Sequence, residues 1–266
     1  MILPSQILGN IKADGSVYVI NQNGIIFGGA SQVNVGSLIA SSAGITDTQF
    51  LTNGIYAQQA GGQYVPSFTG ARGAVRVEAG ALISTNAPSS VTQGGGFVLL
   101  MGTEVSNAGS ITAPRGQVQL AAGNDFLLRP GYSTDANQGS TTRGNEISPI
   151  VRDAIAAVGN TGLIFAQQGD ITLAGRSITQ DGVLVATSSV NTRGTIHLLN
   201  AASDAAGSVT LGSGSLTTIL PELDSSETAL DSQRSQLVAD SKAFAHAPVA
   251  NAQFCLLYTS PSPRDA

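Results

Sequence analysis

The sequence predicts an all-β protein wound as a right-handed parallel β-helix (solenoid), with a short helix and irregular excursions. Three observations carry that expectation. Runs reading Gly-x-apolar-x-apolar recur and soon meet another glycine, as in GAVRVEAGALI (73–83), RGQVQLAAG (115–123), GDITLAG (169–175) and GSVTLGSGSL (207–216). The pattern also has a period. Val98 recurs as Val118 and Gly102 as Gly123, a step of roughly 20 residues that matches one coil of a solenoid. The composition fits many short strands joined by tight turns: glycine supplies 32 of 266 residues, and charged residues make up 11%, against roughly 25% in ordinary soluble domains.

The physics of such a coil is simple. Alternate Val, Ile and Leu point inward, and stacking the coils about 4.8 Å apart gives each backbone amide a partner. Glycine or asparagine serves the corners, where φ turns positive. Gly182, Gly194 and Gly207 follow at spacings of 12 and 13, which suggests two strand-corner units per coil in that region. A β-sandwich shares the alternation and remains the competing architecture.

Taken in order, Val17–Ile20 and Ile25–Phe27 read as strands on either side of an Asn-Gln-Asn-Gly turn, and Val33, Val35 and Leu38 continue the pattern. Residues 46–73 are irregular, a hairpin-like excursion centred on Asn53-Gly54. SPIVRDAIAAVG (148–159) carries a helix signature, with Ser148 as N-cap, Pro149 in the first turn, Asp153 near the positive end and Gly159 as the stop. Its stripe of Ile150, Val151, Ala154, Ile155 and Val158 would lid the core. The β-helix is expected to occupy 1–220. Residues 221–253 lose the glycine pattern and space Leu223, Leu230, Leu237 and Phe244 seven apart, as a polar linker that is either a helix lying on the solenoid or loose. Residues 254–266, with the lone Cys255, read as a non-native tail.

Several function classes are disfavoured. A net charge of −5 with 12 scattered basic residues argues against nucleic acid as a partner. A single cysteine forms no internal disulfide and no cysteine-based metal site. No apolar run is long enough to span a bilayer as a helix, and Met1-Ile-Leu-Pro-Ser-Gln lacks the basic start and apolar stretch of a secretory signal. His197 alternates with Ile196 and Leu198, so it is expected on the outer, solvent side of a strand. Glu78, Glu104, Asp125, Asp153, Asp170 and Asp181 show no paired spacing of the kind that glycoside hydrolysis uses. GGASQVNVG and GGGF lack the lysine of a phosphate loop. No catalytic residue, metal site or cofactor is expected.

The most patterned stretch is ILGNIKADGSVYVINQNGIIFGGASQVNVGSLIASS, residues 7–42. It resembles the N-terminal secretion domain of filamentous haemagglutinin-type exoproteins, the secreted partner of two-partner secretion systems. In that family an Asn-Pro-Asn-Gly-Ile turn lies between two strands, followed by Phe-Gly and a Val-Asn-Val-Gly-Gly-Leu-type run. Here the motif reads Asn21-Gln22-Asn23-Gly24-Ile25, then Phe27-Gly28, then Val33-Asn34-Val35-Gly36 and Leu38. Gln22 replaces a proline that would pre-set the second turn position, at an entropic cost under about 1 kcal/mol. The resemblance covers 6–45 closely and 70–128 in general style.

The resemblance implies a non-enzymatic, secreted or surface-displayed exoprotein of adhesin type that crosses the periplasm. Its partner would be an outer-membrane transporter with periplasmic POTRA domains, and host-cell or surface receptors would be met through a downstream region. Asn21, Asn23, Gly24 and Ile25 are the expected recognition residues, with Phe27, Gly28, Val33, Asn34, Val35 and Gly36 as a structural run. The same segment also serves as the first turn of the fold, and the two roles overlap. The family has strands and a signal before this point, so the chain is expected to start inside the domain and to expose an apolar end. A β-helix polysaccharide-degrading enzyme and a structural filament protein are the competing readings.

Overall fold

A computed structural model describes residues 3–88, 94–131, 144–152, 155–189, 192–200 and 204–222. The chain winds as a parallel β-helix. The first coil holds β1 (Ser5–Ile7) and β2 (Asn10–Ile20), and the second β3 (Ile25–Phe27) and β4 (Gln32–Ser41). An excursion follows, with α1 (Asp47–Asn53), β5 (Gln58–Ala60) and β6 (Gln63–Val65). The third coil is β7 (Val75–Val77), β8 (Leu82–Thr85) and β9 (Phe97–Gly102). The fourth is β10 (Glu104–Asn107), β11 (Ser110–Thr112) and β12 (Gln117–Ala122). A second excursion, β13 (Asp125–Gly131) and β14 (Gly144–Ile150), precedes the fifth coil of β15 (Ala157–Asn160), β16 (Leu163–Ala166) and β17 (Asp170–Ala174). The sixth is β18 (Ser177–Gln180), β19 (Val183–Ser188) and β20 (Thr195–Leu199), and the seventh holds β21 (Ser208–Leu211) and β22 (Leu216–Pro221).

Like strands stack into three faces. The first is the parallel sheet β1-β3-β7-β10-β15-β18-β21. The other two share a root in β4: Gln32–Val35 pairs with β8, and Leu38–Ser41 pairs with β9. From there β8-β11-β16-β19-β22 builds the second face, and β9-β12-β17-β20 the third. The register explains the period. Ser5↔Ile25, Phe97↔Gln117, Ala157↔Ser177 and Leu163↔Val183 all share the offset that separates Val98 from Val118. Where an excursion intervenes the step more than doubles, as at Ile25↔Val75 and Glu104↔Ala157, and the ladder resumes in phase. Gly182, Gly194 and Gly207 precede β19, β20 and β21, so they mark three successive corners of one long coil rather than two units per coil.

The inward residues form columns. Leu38, Val98, Val118, Ile171 and Ile196 line the third face inside, and Val33, Ile83, Ile111, Ile164 and Leu184 the second, all at most 1% exposed. One column of the first face changes from Phe27 and Val77 to amides. There Asn107 Nδ2 donates to Asn160 Oδ1 at 2.8 Å, and Asn160 Nδ2 donates to Gln180 Oε1 at 2.8 Å. Each buried amide is satisfied by the coil above or below, which offsets its desolvation.

The corner glycines answer to space more than to φ. A Cβ on Gly96 would stand 1.7 Å from Gly36 O, one on Gly116 1.8 Å from Gly96 O, and one on Gly169 2.3 Å from Gly116 O. None of these adopts positive φ; the coils simply stack too closely there for any side chain.

Two expectations are corrected. Residues 148–159 are not a helix: Ser148, Pro149 and Ile150 belong to β14, which pairs antiparallel with β13, and Val158 and Gly159 belong to β15. Pro149 faces Phe126 in a two-stranded ribbon whose ladder tolerates a missing donor, and Ile147 docks in a second apolar cluster. Ile155 is exposed rather than part of a lid, and Asp153 lies outside the described residues. The short helix is instead α1, capped by the Thr46 hydroxyl and stopped by Gly54 at φ +61°. The first excursion therefore does not turn back at Asn53-Gly54. It does so at Gly61-Gly62, both with positive φ, between β5 and β6. The expected linker 221–253 and tail 254–266 lie, beyond Glu222, outside the described residues.

Both excursions leave the corner after the third face and cover its outer surface. Ile39, Leu99, Met101 and Ala121 point outward there and pack under Ile55, Phe68, Ala71, Phe126, Leu128 and Ile147. His197, in line with Leu99, Gln119 and Thr172 on that same outer side, is 1% exposed. The expectation of a solvent-facing His197 is overturned, because alternation gives the side of a strand and not what lies over it.

Candidate functional site: the Asn21–Ile25 corner

β2 ends at Ile20 and the chain turns into β3 through Asn21, Gln22, Asn23 and Gly24. Asn21 Oδ1 accepts the N–H of Asn23 at 3.0 Å, and Asn21 O accepts the N–H of Gly24 at 2.9 Å. These are the Asx and backbone closures that Asn-x-Asn-Gly chemistry favours. Gly24 holds φ +111°, and a Cβ there would meet Ala74 O at 2.7 Å.

The turn ties three coils together. Asn21 Nδ2 donates to Ser5 Oγ at 3.0 Å and to Leu3 O at 3.3 Å, and the N–H of Asn21 donates to Ser41 O at 3.1 Å. Ser5 N–H donates to Gly24 O at 3.0 Å, and Ile25 N–H to Ala74 O at 2.9 Å. On the next coil, a Cβ on Gly73 would fall 2.3 Å from the Asn23 carbonyl carbon. Gln22 is exposed, and its Nε2 lies beside Gly44 and Gly70, where Gly44 and Thr69 exchange two 2.8 Å backbone bonds at the neck of the first excursion.

The motif residues separate into two groups. Ile25, Phe27, Val33 and Val35 are at most 1% exposed and face the column inside. Gly24 and Gly28 are buried, and Gly36 packs against Asp14 O. Asn23 and Asn34 are exposed and Asn21 is half-buried. A shallow hollow beside the turn is lined by Pro4, Asn23, Ile26, Ala74 and Arg76, and Arg76 forms an exposed 3.6 Å ion pair with Glu104. Sequence reasoning missed Gly73, Ala74 and Arg76, because Val75 stacks on Ile25 across a long step that the excursion hides; it also missed Ser5, which pairs with Ile25 one direct coil step away.

Chemically the corner offers amides, backbone groups and a sheet edge. Among the described residues no group of three His, Cys, Asp or Glu could hold a metal ion, and no helix is long and apolar enough to cross a membrane. β2 pairs with β4, and among the described residues no strand lies on its other side.

No curated protein matches the chain. The TPS secretion domain family matches residues 3–211, a span that includes the corner and the strands from β1 to β21. A parallel β-helix with this corner at its start, matched over most of its length, places the chain in the family of TPS secretion domains, the N-terminal domains of two-partner secretion exoproteins.

Proposed function

We propose that residues 1–220 direct export through an outer-membrane transporter, which reads Asn21–Ile25 and the following strands while the chain is extended. The burial of Ile25, Phe27, Val33 and Val35 carries this reading. Once the coil has closed these side chains are out of reach, so a receptor that discriminates by them meets the chain unfolded. Periplasmic POTRA domains would add a strand to it, with main-chain bonds giving affinity and alternate side chains giving specificity. Folding coil on coil outside the cell would then draw the chain forward. The exported protein would act as an adhesin-type surface protein, with its receptors met by a downstream region.

The test compares two lesions in the full-length exoprotein, co-expressed with its transporter. Asn23→Ala with Gly24→Ala should cut the amount released to the medium while synthesis stays constant. Gly169→Ala, where a Cβ would stand 2.3 Å from Gly116 O, breaks a corner of the fifth coil far from the motif and reports the cost of misfolding alone. Unchanged release for the motif variant, or equal losses for both at equal destabilisation, would overturn recognition by the motif.

A further inference from the structure

The first excursion holds itself together poorly. α1 buries no residue, β5 and β6 are exposed throughout, Leu51 faces solvent, and Phe50, itself exposed, meets the Tyr18 ring edge-on at 5.8 Å. Yet Phe68 is 1% exposed, Ser67 3% and Ala71 5%. The side chains of Phe68 and Ala71 rest on Ile39, Leu99 and Met101 of the third face, but the backbone partners of all three residues come from the second excursion, two coils further along the chain. Ala57 N–H donates to Leu128 O at 2.7 Å, Ser67 N–H to Phe126 O at 3.1 Å, and Ala71 N–H to Asn124 O at 2.8 Å. Phe126 N–H returns a bond to Phe68 O at 2.8 Å. Gly70 N–H donates at 2.8 Å to Oδ1 of Asp125, a carboxylate that is 3% exposed and also paired with Arg152. Outside this seam, Arg129 lies 5.0 Å over the Tyr64 ring, and Tyr56 Oη donates to Asn145 Oδ1 at 3.0 Å.

We propose that the first excursion is a conditional element: residues 55–71 take up their structure only when residues 124–128 arrive, so the two excursions and the third face beneath them close as one block. The second excursion has its own anchor. Gln117 and Gln119 side chains extend from β12 and bond the β14 backbone at Asn145 and Ile147 in the manner of an extra strand. It therefore docks on the fourth coil directly, and the first excursion follows. For a chain emerging N-terminus first, the bonds from Ala57, Ser67, Gly70 and Ala71 to residues 124–128 would remain unmade until the fourth coil is laid down. This last step rests on the export reading; the seam itself does not.

Two measurements on the complete chain test the proposal. In pulse-labelled refolding, the amides of Ala57, Phe68, Gly70 and Ala71 should become protected with or after Phe126, and after Val118 of the fourth coil. Protection of Gly70 and Phe68 before Phe126 would overturn it. In the folded protein, Asp125→Ala should speed exchange at 67–71 by about tenfold or more, with β10 and β12 unchanged, because local opening is governed by local contacts. Arg152→Ala, which leaves the acceptor for Gly70 in place, should have a much smaller effect. Equal loss of protection in β10 and β12, or none at 67–71, would sink the conditional seam. Failure of export with the exchange results intact would count against the transporter reading alone.

Discussion

At the residue scale, the corner after β2 depends on one backbone position. Gly24→Ala forces an L side chain to φ +111° and sets its methyl 2.7 Å from Ala74 O. We expect a loss of about 2 kcal/mol or more, read as a lower denaturation midpoint. Asn34→Ala, on the exposed side of β4, should stay within about 0.5 kcal/mol. The contrast shows how much the sequence revealed. The Asx closure at Asn21 and the inward set of Ile25, Phe27, Val33 and Val35 were readable from residue type and alternation. The reason for glycine at 36, 96 and 116 was not, because it lies in the distance between coils and not in the local chain.

At the element scale, the amide column on the first face and the exit of the chain from β22 each make a prediction. Asn160 bridges Asn107 and Gln180 inside the solenoid. Asn160→Leu leaves both neighbours short of a partner and should cost about 2–3 kcal/mol, measured by chemical denaturation. Glu222 follows β22 and accepts from Thr187 Oγ1 at 2.5 Å and from Gln168 Nε2 at 2.6 Å. Burial acts to raise its pKa, but the bonds from Thr187, Gln168 and Gln167 and the charge of Arg115 outweigh it and hold the carboxyl below its ordinary 4.5. A lowered folded-state pKa means a contribution that is present above about pH 4.5 and lost as the pH falls through the folded value. Protection of the amides at 216–221, taken relative to their intrinsic exchange rates, should therefore fall on acidification below about pH 4.5, with Glu222→Gln removing the dependence. The element misread from sequence, 148–159, failed for a related reason. Its caps and stripe satisfy local rules, but pairing with β13 and the docking of Ile147 on the third face supply more than an isolated turn of helix.

At the scale of the whole molecule, protection should grade along the axis. In the first coil Ile7, Ile11, Ala13, Val17 and Val19 are only partly buried, whereas Val98, Leu100, Val118 and Leu120 are fully so. In the seventh coil Val209 and Ile219 are again only partly buried, so exchange should be faster in β2, β21 and β22 than in β9 and β12, and a uniform profile would contradict a column that is tightest in its middle coils. The coil period was legible wherever coils follow one another directly. It was invisible across the excursions, where the long steps from Ile25 to Val75 and from Glu104 to Ala157 hide the stacking partner; hence the missed Gly73, Ala74 and Arg76 beside the Asn21 corner, whereas His197 was misplaced because alternation does not show what covers the outer side of a strand. Both detours open at the same edge of the prism and return to it in phase. The scaffold thus behaves as a socket for grafts: new sequence spliced in at the Gly61-Gly62 tip should leave the pitch of the winding untouched, and variation between relatives should collect on that one flank while the other two stay bare.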